Sequence, residues 1–110
     1  MQFKTVSRFD KEVKELAKKY SHIKSDLQNL ISNFDKNHQT AKTIKANIYK
    51  VRIKNSDKKR GKSAGYRTYY YLVENETVYF LTIYDKSEKE SIDESVLDEI
   101  ISAEININTK

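Results

Sequence analysis

Lys50, Arg52 and Lys54 fall at alternate positions of the run Ile48-Tyr49-Lys50-Val51-Arg52-Ile53-Lys54, interleaved with Tyr49, Val51 and Ile53. In a strand, residues two apart share a face, so three cations would stand in a row on one side and three apolar groups on the other. Like charges on one sheet face repel, a cost explained most simply when an anion occupies that face. Arg67 is followed at the same period by Tyr69 and Tyr71, which places a guanidinium and aromatic rings beside the row. The chemistry open to such a surface is the binding of phosphates and stackable bases, or the stabilisation of charge on a phosphate under attack. The same residues also fit an exposed sheet face whose tyrosines are core or cross-strand pairs.

The row belongs to a longer cationic block. Between residues 42 and 67 ten Lys and Arg meet one acid, Asp57, whereas the whole chain has 21 basic and 16 acidic residues, so the remainder is net acidic. A cationic block inside an otherwise acidic protein reads as an anion-binding surface. Lys58, Lys59, Arg60 and Lys62 sit in a polar loop that either grips phosphate backbone or is a solvated charge run. Gly61-Lys62-Ser63 is similar to the end of a P-loop, but that motif needs glycine where Ser56 stands and must open into a helix. Here a strand follows, so nucleotide hydrolysis is rejected.

Other chemistries find little support. There is no cysteine, His22 and His38 are isolated, and acids are scarce in the basic block, so neither a metal site nor a cofactor is expected. No Ser/His/Asp arrangement is credible. An enzyme built from these residues would work without a metal, as RNA allows, because its own 2′-OH can attack the adjacent phosphate. A lysine crowded by other cations gives up its proton more readily, so Lys54 and Lys86 are candidates for proton transfer, with Tyr84 a second kind of candidate.

Period and caps define the scaffold for these groups. At 110 residues one domain, 1–110, is expected. Residues 1–6 alternate weakly, as a short edge strand. Ser7 is the expected cap of a helix with Phe9, Val13, Leu16, Ala17 and Tyr20 on one face and a charged, solvated face that includes Glu12. Ser21 is the expected cap of a second, with Ile23, Leu27, Leu30, Ile31 and Phe34 in the stripe, ended by residues 35–39; the two make a helical hairpin wanting a sheet to cover. Strands are expected over residues 48–54, 65–73 and 77–84, with Asn75-Glu76 as the tight turn. Ser91-Ile92-Asp93-Glu94 is a capping box ahead of a short C-terminal helix and a frayed tail. The expected class is α+β, a helical hairpin on a small, mainly antiparallel twisted sheet, in the order β-α-α-β-β-β-α. The N-terminus has no apolar signal core and no run is long enough to span a membrane, so a cytoplasmic protein is expected.

The run from Tyr49 to Lys54, then Gly61-Lys62-Ser63-Ala64-Gly65-Tyr66-Arg67 leading into Tyr70-Tyr71, then Ile83-Tyr84-Asp85-Lys86-Ser87-Glu88-Lys89, resembles the RelE/ParE toxin superfamily, and within it the HigB-type branch. The resemblance extends from about Val6 to Ile101 and implies the RelE-like fold. It further implies a toxin of a type II toxin-antitoxin pair that cleaves mRNA in the ribosomal decoding site. Carried onto this chain, Lys50 and Arg52 match basic positions on the first strand of the meander, Arg67 the arginine after the glycine, and Lys86 a basic position after the last strand. Lys54 joins the row by spacing. Ala64 replaces a glycine common in the loop, Ser87 stands where some members have arginine, and a C-terminal tyrosine used by some is absent.

The activity expected from this resemblance is that of a ribosome-dependent mRNA endonuclease. Arg52, Lys54, Arg67, Lys86 and Tyr84 would be catalytic, and Lys50, Lys58, Lys59, Arg60, Lys62 and Tyr69 would bind RNA. Its partners would be a cognate antitoxin, the ribosome and mRNA, with no membrane. Two rivals stay open: a ParE-like inhibitor of DNA gyrase and a non-catalytic nucleic-acid-binding module.

Overall fold

The computed structural model describes residues 1–59 and 61–105. Arg60 and the expected tail from residue 106 lie outside the described residues. In chain order the elements are β1 (Gln2–Thr5), α1 (Ser7–Ala17), α2 (Ile23–Ser32), α3 (Phe34–Gln39), β2 (Lys42–Lys45), β3 (Ile48–Ile53), β4 (Tyr66–Val73), β5 (Thr77–Asp85) and α4 (Glu94–Glu104). The class is mixed α+β, with one five-stranded sheet in the order β1-β5-β4-β3-β2. β1 runs parallel to β5, and the other three pairings are antiparallel.

Two elements were not in the expected order. Phe34, expected in the stripe of the second helix, and residues 35–39, expected to end it, form α3, which puts Phe34 into the core against Tyr70 with ring centroids 5.2 Å apart. Lys42–Lys45 forms β2, a short edge strand whose Lys42 and Lys50 are cross-strand partners. Neither segment has the apolar periodicity of its kind, and β2 is held chiefly by backbone pairing to β3.

The caps also differ from expectation. Ser7 lies inside α1, whose N-cap is Val6. Its first-turn N–H groups are met instead by Glu104, whose carboxylate accepts from the Ser7 N–H at 2.8 Å and the Arg8 N–H at 3.4 Å. A carboxylate from the far end of the chain thus satisfies donors that no local side chain reaches. Glu12, expected on a solvated face, accepts from the Ile83 N–H at 3.2 Å and the Thr82 hydroxyl at 2.8 Å. It covers the edge of β5 beyond the point where β1 stops. The hairpin joining β4 to β5 turns on Glu74 and Asn75, one residue earlier than expected, with positive φ at both and the Glu76 N–H donating to the Val73 carbonyl at 3.0 Å. That is the primed turn whose twist matches the flanking strands, made here without glycine.

The sheet has two unlike faces. Tyr49, Tyr70 and Tyr66 point toward the helices, where His38, Phe34 and Tyr20 meet them ring to ring. Lys50, Arg52, Arg67, Tyr69 and Tyr84 alternate with these on β3, β4 and β5 and occupy the other face. The segment leading into α4 crosses that second face, since the Ile92 N–H donates to the Tyr69 hydroxyl at 3.1 Å.

Candidate active site

Strand register assembles the site. Arg52 is the cross-strand partner of Arg67, and Arg67 of Tyr84, so three residues from three strands form one row. Lys42, Lys50 and Tyr69 form the next row. Each row holds a like-charged pair directly opposite across a ladder, an arrangement that destabilises a sheet by about 0.2–1 kcal/mol per pair. The two rows open into a cleft of about 510 Å³ lined by Thr40, Lys42, Lys50, Arg52, Lys62 and Arg67. Five of the six lining residues are cationic and none is acidic.

The backbone around Gly65 sets where Arg67 stands. A Cβ on Gly65 would lie 2.0 Å from the Ile53 carbonyl oxygen and 2.9 Å from the Asn55 nitrogen, both backbone atoms that have no room to yield. Only glycine lets the start of β4 press this closely on the end of β3. The Gly65 carbonyl also accepts from the Lys86 N–H at 3.0 Å, which ties the exit of β5 to the same point.

Arg67 is 5 % exposed, and its Nη1 donates to the carbonyls of Lys62 at 3.0 Å and Tyr66 at 3.2 Å. Burial, then the neighbouring Arg52 charge, lowers its pKa, although a guanidinium stays protonated at any physiological pH. Its positive charge is therefore held in a place that disfavours it, so an arriving anion gains more from it than from an exposed arginine. Arg52 is exposed beside it. Lys50 places its ammonium 5.4 Å from the Tyr69 ring centroid and donates to the Glu90 carbonyl at 2.8 Å.

The remaining expected site residues are dispersed. Tyr69 is 2 % exposed beneath Lys50 and the lead to α4, so in this conformation its ring supports the lysine and offers no face for a base. Tyr84 stands in the arginine row, but its hydroxyl donates to the same Glu90 carbonyl at 2.8 Å. Burial, and after it the Tyr69 hydroxyl, pushes its pKa well above the ordinary phenol value, so it is a neutral phenol rather than a phenolate base. Lys54 lies outside the cleft, in an adjoining groove. Lys86 is exposed just after β5, outside the cleft lining, and its ammonium has no hydrogen bond or ion pair among the described residues.

The loop cations divide again. Lys58 points inward, where its ammonium pairs with Asp85 and donates to the Ala64 carbonyl at 3.1 Å, so it is a structural ion pair and not an outward phosphate grip. Lys59 is exposed and away from the cleft. Lys62 does line the cleft, with its Nζ donating to Asn37 Oδ1 at 3.1 Å. Arg60 falls outside the described residues.

Lys42 and Thr40 were missed as site residues. Lys42 was counted in the basic block, but only the unrecognised strand β2 shows that it faces the row. Asp85 was missed as well, and its fully buried carboxylate gathers Lys58, the Asn55 amide at 3.3 Å and the Ser87 N–H at 3.1 Å. Burial alone would raise its pKa; these donors outweigh that and hold it below the usual carboxylate range.

The arrangement can bind a phosphodiester and neutralise charge as it builds on phosphorus. No curated protein matches the chain. A family model described as the RelE toxin of the RelE/RelB toxin-antitoxin system matches residues 4–106, which takes in every residue of the cleft, and the chain belongs to the RelE toxin family.

Proposed function

We propose that this chain is a single-domain cytoplasmic toxin of the HigB-type branch that cleaves mRNA on the ribosome and is held in check by a cognate antitoxin. Family membership supports the toxin role and the antitoxin. The observation that carries the endonuclease reading is the cleft in which Arg52 and Arg67 oppose each other across a ladder with Lys42, Lys50 and Lys62 around them. A sheet sustains such repulsion when a polyanion fills the face.

In this reading the scissile phosphate lies against Arg52 and Arg67, and the adjacent RNA 2′-OH attacks phosphorus in line. The bond to the 5′ oxygen of the next nucleotide breaks, leaving a 2′,3′-cyclic phosphate and a 5′-hydroxyl. The guanidinium groups stabilise the added charge of the pentavalent state. A cleft lined by five cations and no carboxylate repels divalent metals, which favours a metal-independent route. Tyr84 is suited to donate a proton rather than take one, once its hydroxyl leaves the Glu90 carbonyl. Lys54, in the groove that adjoins the cleft, and Lys86, just after β5, are the other proposed proton-transfer groups.

In a reconstituted translation reaction the wild-type protein should cut mRNA. Arg67→Ala should slow cutting by about 100-fold or more, the scale seen when one preorganised charge-stabilising donor is removed, with its circular dichroism spectrum unchanged. Intact mRNA with the wild type would sink the endonuclease reading. Inhibition of gyrase supercoiling would instead favour the ParE-like rival, and salt-sensitive RNA binding without product a plain binding module.

A further inference from the structure

A second concavity of about 450 Å³ adjoins the cationic cleft and shares Thr40, Arg52 and Lys62 with it. Its walls come from α2, α3 and the end of β3. Asn29, Asn33 and Asn37 stand four residues apart along the helices and are linked in series. Asn33 Nδ2 donates to Asn29 Oδ1 at 2.9 Å, Asn37 Nδ2 to the Asn33 carbonyl at 3.0 Å, and Lys62 to Asn37 Oδ1 at 3.1 Å. Asn33 Nδ2 also donates to the Asn29 backbone carbonyl at 3.1 Å, and because a carbonyl only accepts and Lys62 only donates, these bonds fix which end of each amide is oxygen. They leave Asn33 Oδ1 and Asn29 Nδ2 without a protein partner among the described residues: one acceptor beside one donor.

Charge points the same way. Lys36, Lys54, Arg52 and Lys62 line the groove against one carboxylate, Asp26, which is already engaged by the Ser56 N–H at 3.0 Å and the Ser56 hydroxyl. Leu30 and Ile53, both buried, add an apolar part to the wall. Its volume is within the range of small-molecule sites. Apolar surface, a fixed donor and acceptor, and surplus positive charge are what an unstacked nucleotide needs for its base, its base edge and its phosphate.

We propose that this groove is a subsite for the nucleotide next to the scissile phosphate, with Asn29 and Asn33 at its base edge and Lys36 and Lys54 at its backbone. The proposal rests on the cleft holding RNA. It commits to the message strand as the source of that nucleotide rather than ribosomal RNA.

The test uses single-stranded RNA oligonucleotides methylated at the 2′ oxygen to block cleavage, in a short form that fills only the cleft and a longer one that reaches the groove. Asn29→Ala and Lys36→Ala both replace exposed helical side chains with the best helix former, so the fold should persist. Each should weaken the longer RNA by about fivefold to tenfold and leave the short one unchanged. Lys36→Ala should also reduce the salt slope by about 0.7. On the ribosome, 4-thiouridine in the message should cross-link to the peptide spanning residues 29–37. If Arg67→Ala weakens both RNAs while the groove variants weaken neither, the subsite is wrong and the cleft reading stands. If the wild type binds the longer RNA no better than the short one, the subsite falls, while the cleft reading is judged separately by cutting on the ribosome. Cross-links from ribosomal RNA alone would also overturn the message-strand subsite.

Discussion

The basic segment from residue 42 to residue 67 contains two regions with the same kind of side chain and different surroundings. In the strands, cations face cations: Lys42 opposes Lys50, and Arg52 opposes Arg67. In the loop, Lys58 is answered by the fully buried Asp85, and Asp57 by His22. Lys42, Lys50, Arg52 and Arg67 of the strand half line a cleft whose walls hold no carboxylate, and Lys45 pairs with Asp98, while part of the loop half uses its charge to hold itself against the domain. A count of positive residues does not separate the two. The partner opposite each one does, and for the loop that partner sits more than twenty residues away.

The largest effect should come from removing the loop's buried partner. Asp85→Ala leaves the Lys58 ammonium, the Asn55 amide and the Ser87 N–H without their shared acceptor. The cost should be about 3 kcal/mol, in line with breaking one side of a buried pair, and should appear as a lowered midpoint in urea denaturation. Adding Lys58→Met should restore part of it. A loss below about 0.5 kcal/mol, the range of ordinary surface changes, would mean that Lys58 is a surface cation after all.

The strand half should respond with the opposite sign. Arg52→Met removes one member of a like-charged cross-strand pair, so it should leave stability unchanged or raise it by about 0.5 kcal/mol. The gain should be larger in low salt, where the repulsion is less screened. Cleavage on the ribosome should fall in the same protein. Stability gained as activity is lost is the pattern expected of a site kept at a cost to the fold. Destabilisation by more than about 1 kcal/mol, beyond what one cross-strand pair contributes, would show instead that Arg52 helps hold the sheet.

The two halves also differ in how far the sequence alone reveals them. β3, β4 and β5 announce themselves by period two, and Arg67 and Tyr84 enter the row because alternation carries across a ladder once register is known. β2 did not, because Lys42-Thr43-Ile44-Lys45 is short and mostly polar, and without β2 the place of Lys42 could not be seen. Tyr69 has the right face but is covered by residues near Ile92, which no local pattern encodes. Lys58 and Lys62 look alike in the loop, yet one meets a carboxylate across the fold and the other an asparagine of α3. The asparagine series at 29, 33 and 37 has helical spacing, but its meaning depends on the groove that β3 closes.

The smallest effect concerns the one acid within the basic segment. Asp57 accepts from the His22 N–H at 3.1 Å and lies 2.7 Å from His22 Nδ1, joining the loop to the start of α2. The hydrogen bond and charge of Asp57 raise the His22 pKa, and the same hydrogen bond lowers that of Asp57. For His22, whose folded value lies above the ordinary 6.5, the contribution to stability is full below 6.5 and is lost as pH rises through the folded value. For Asp57 it is present above the ordinary 3.8 and lost as pH falls through its lowered value. The tether is therefore strongest between those two ordinary values and fades on both sides. Both groups are exposed, so solvent screening keeps the change in global stability small, and the His22 ring signals in an NMR titration are the better gauge. Asp57→Asn should bring the His22 midpoint back toward 6.5 while Asp85→Asn leaves it in place, which would make the loop's two anchors independent. A His22 midpoint that ignores Asp57→Asn would leave Asp85 as the anchor that distinguishes the loop from the strands.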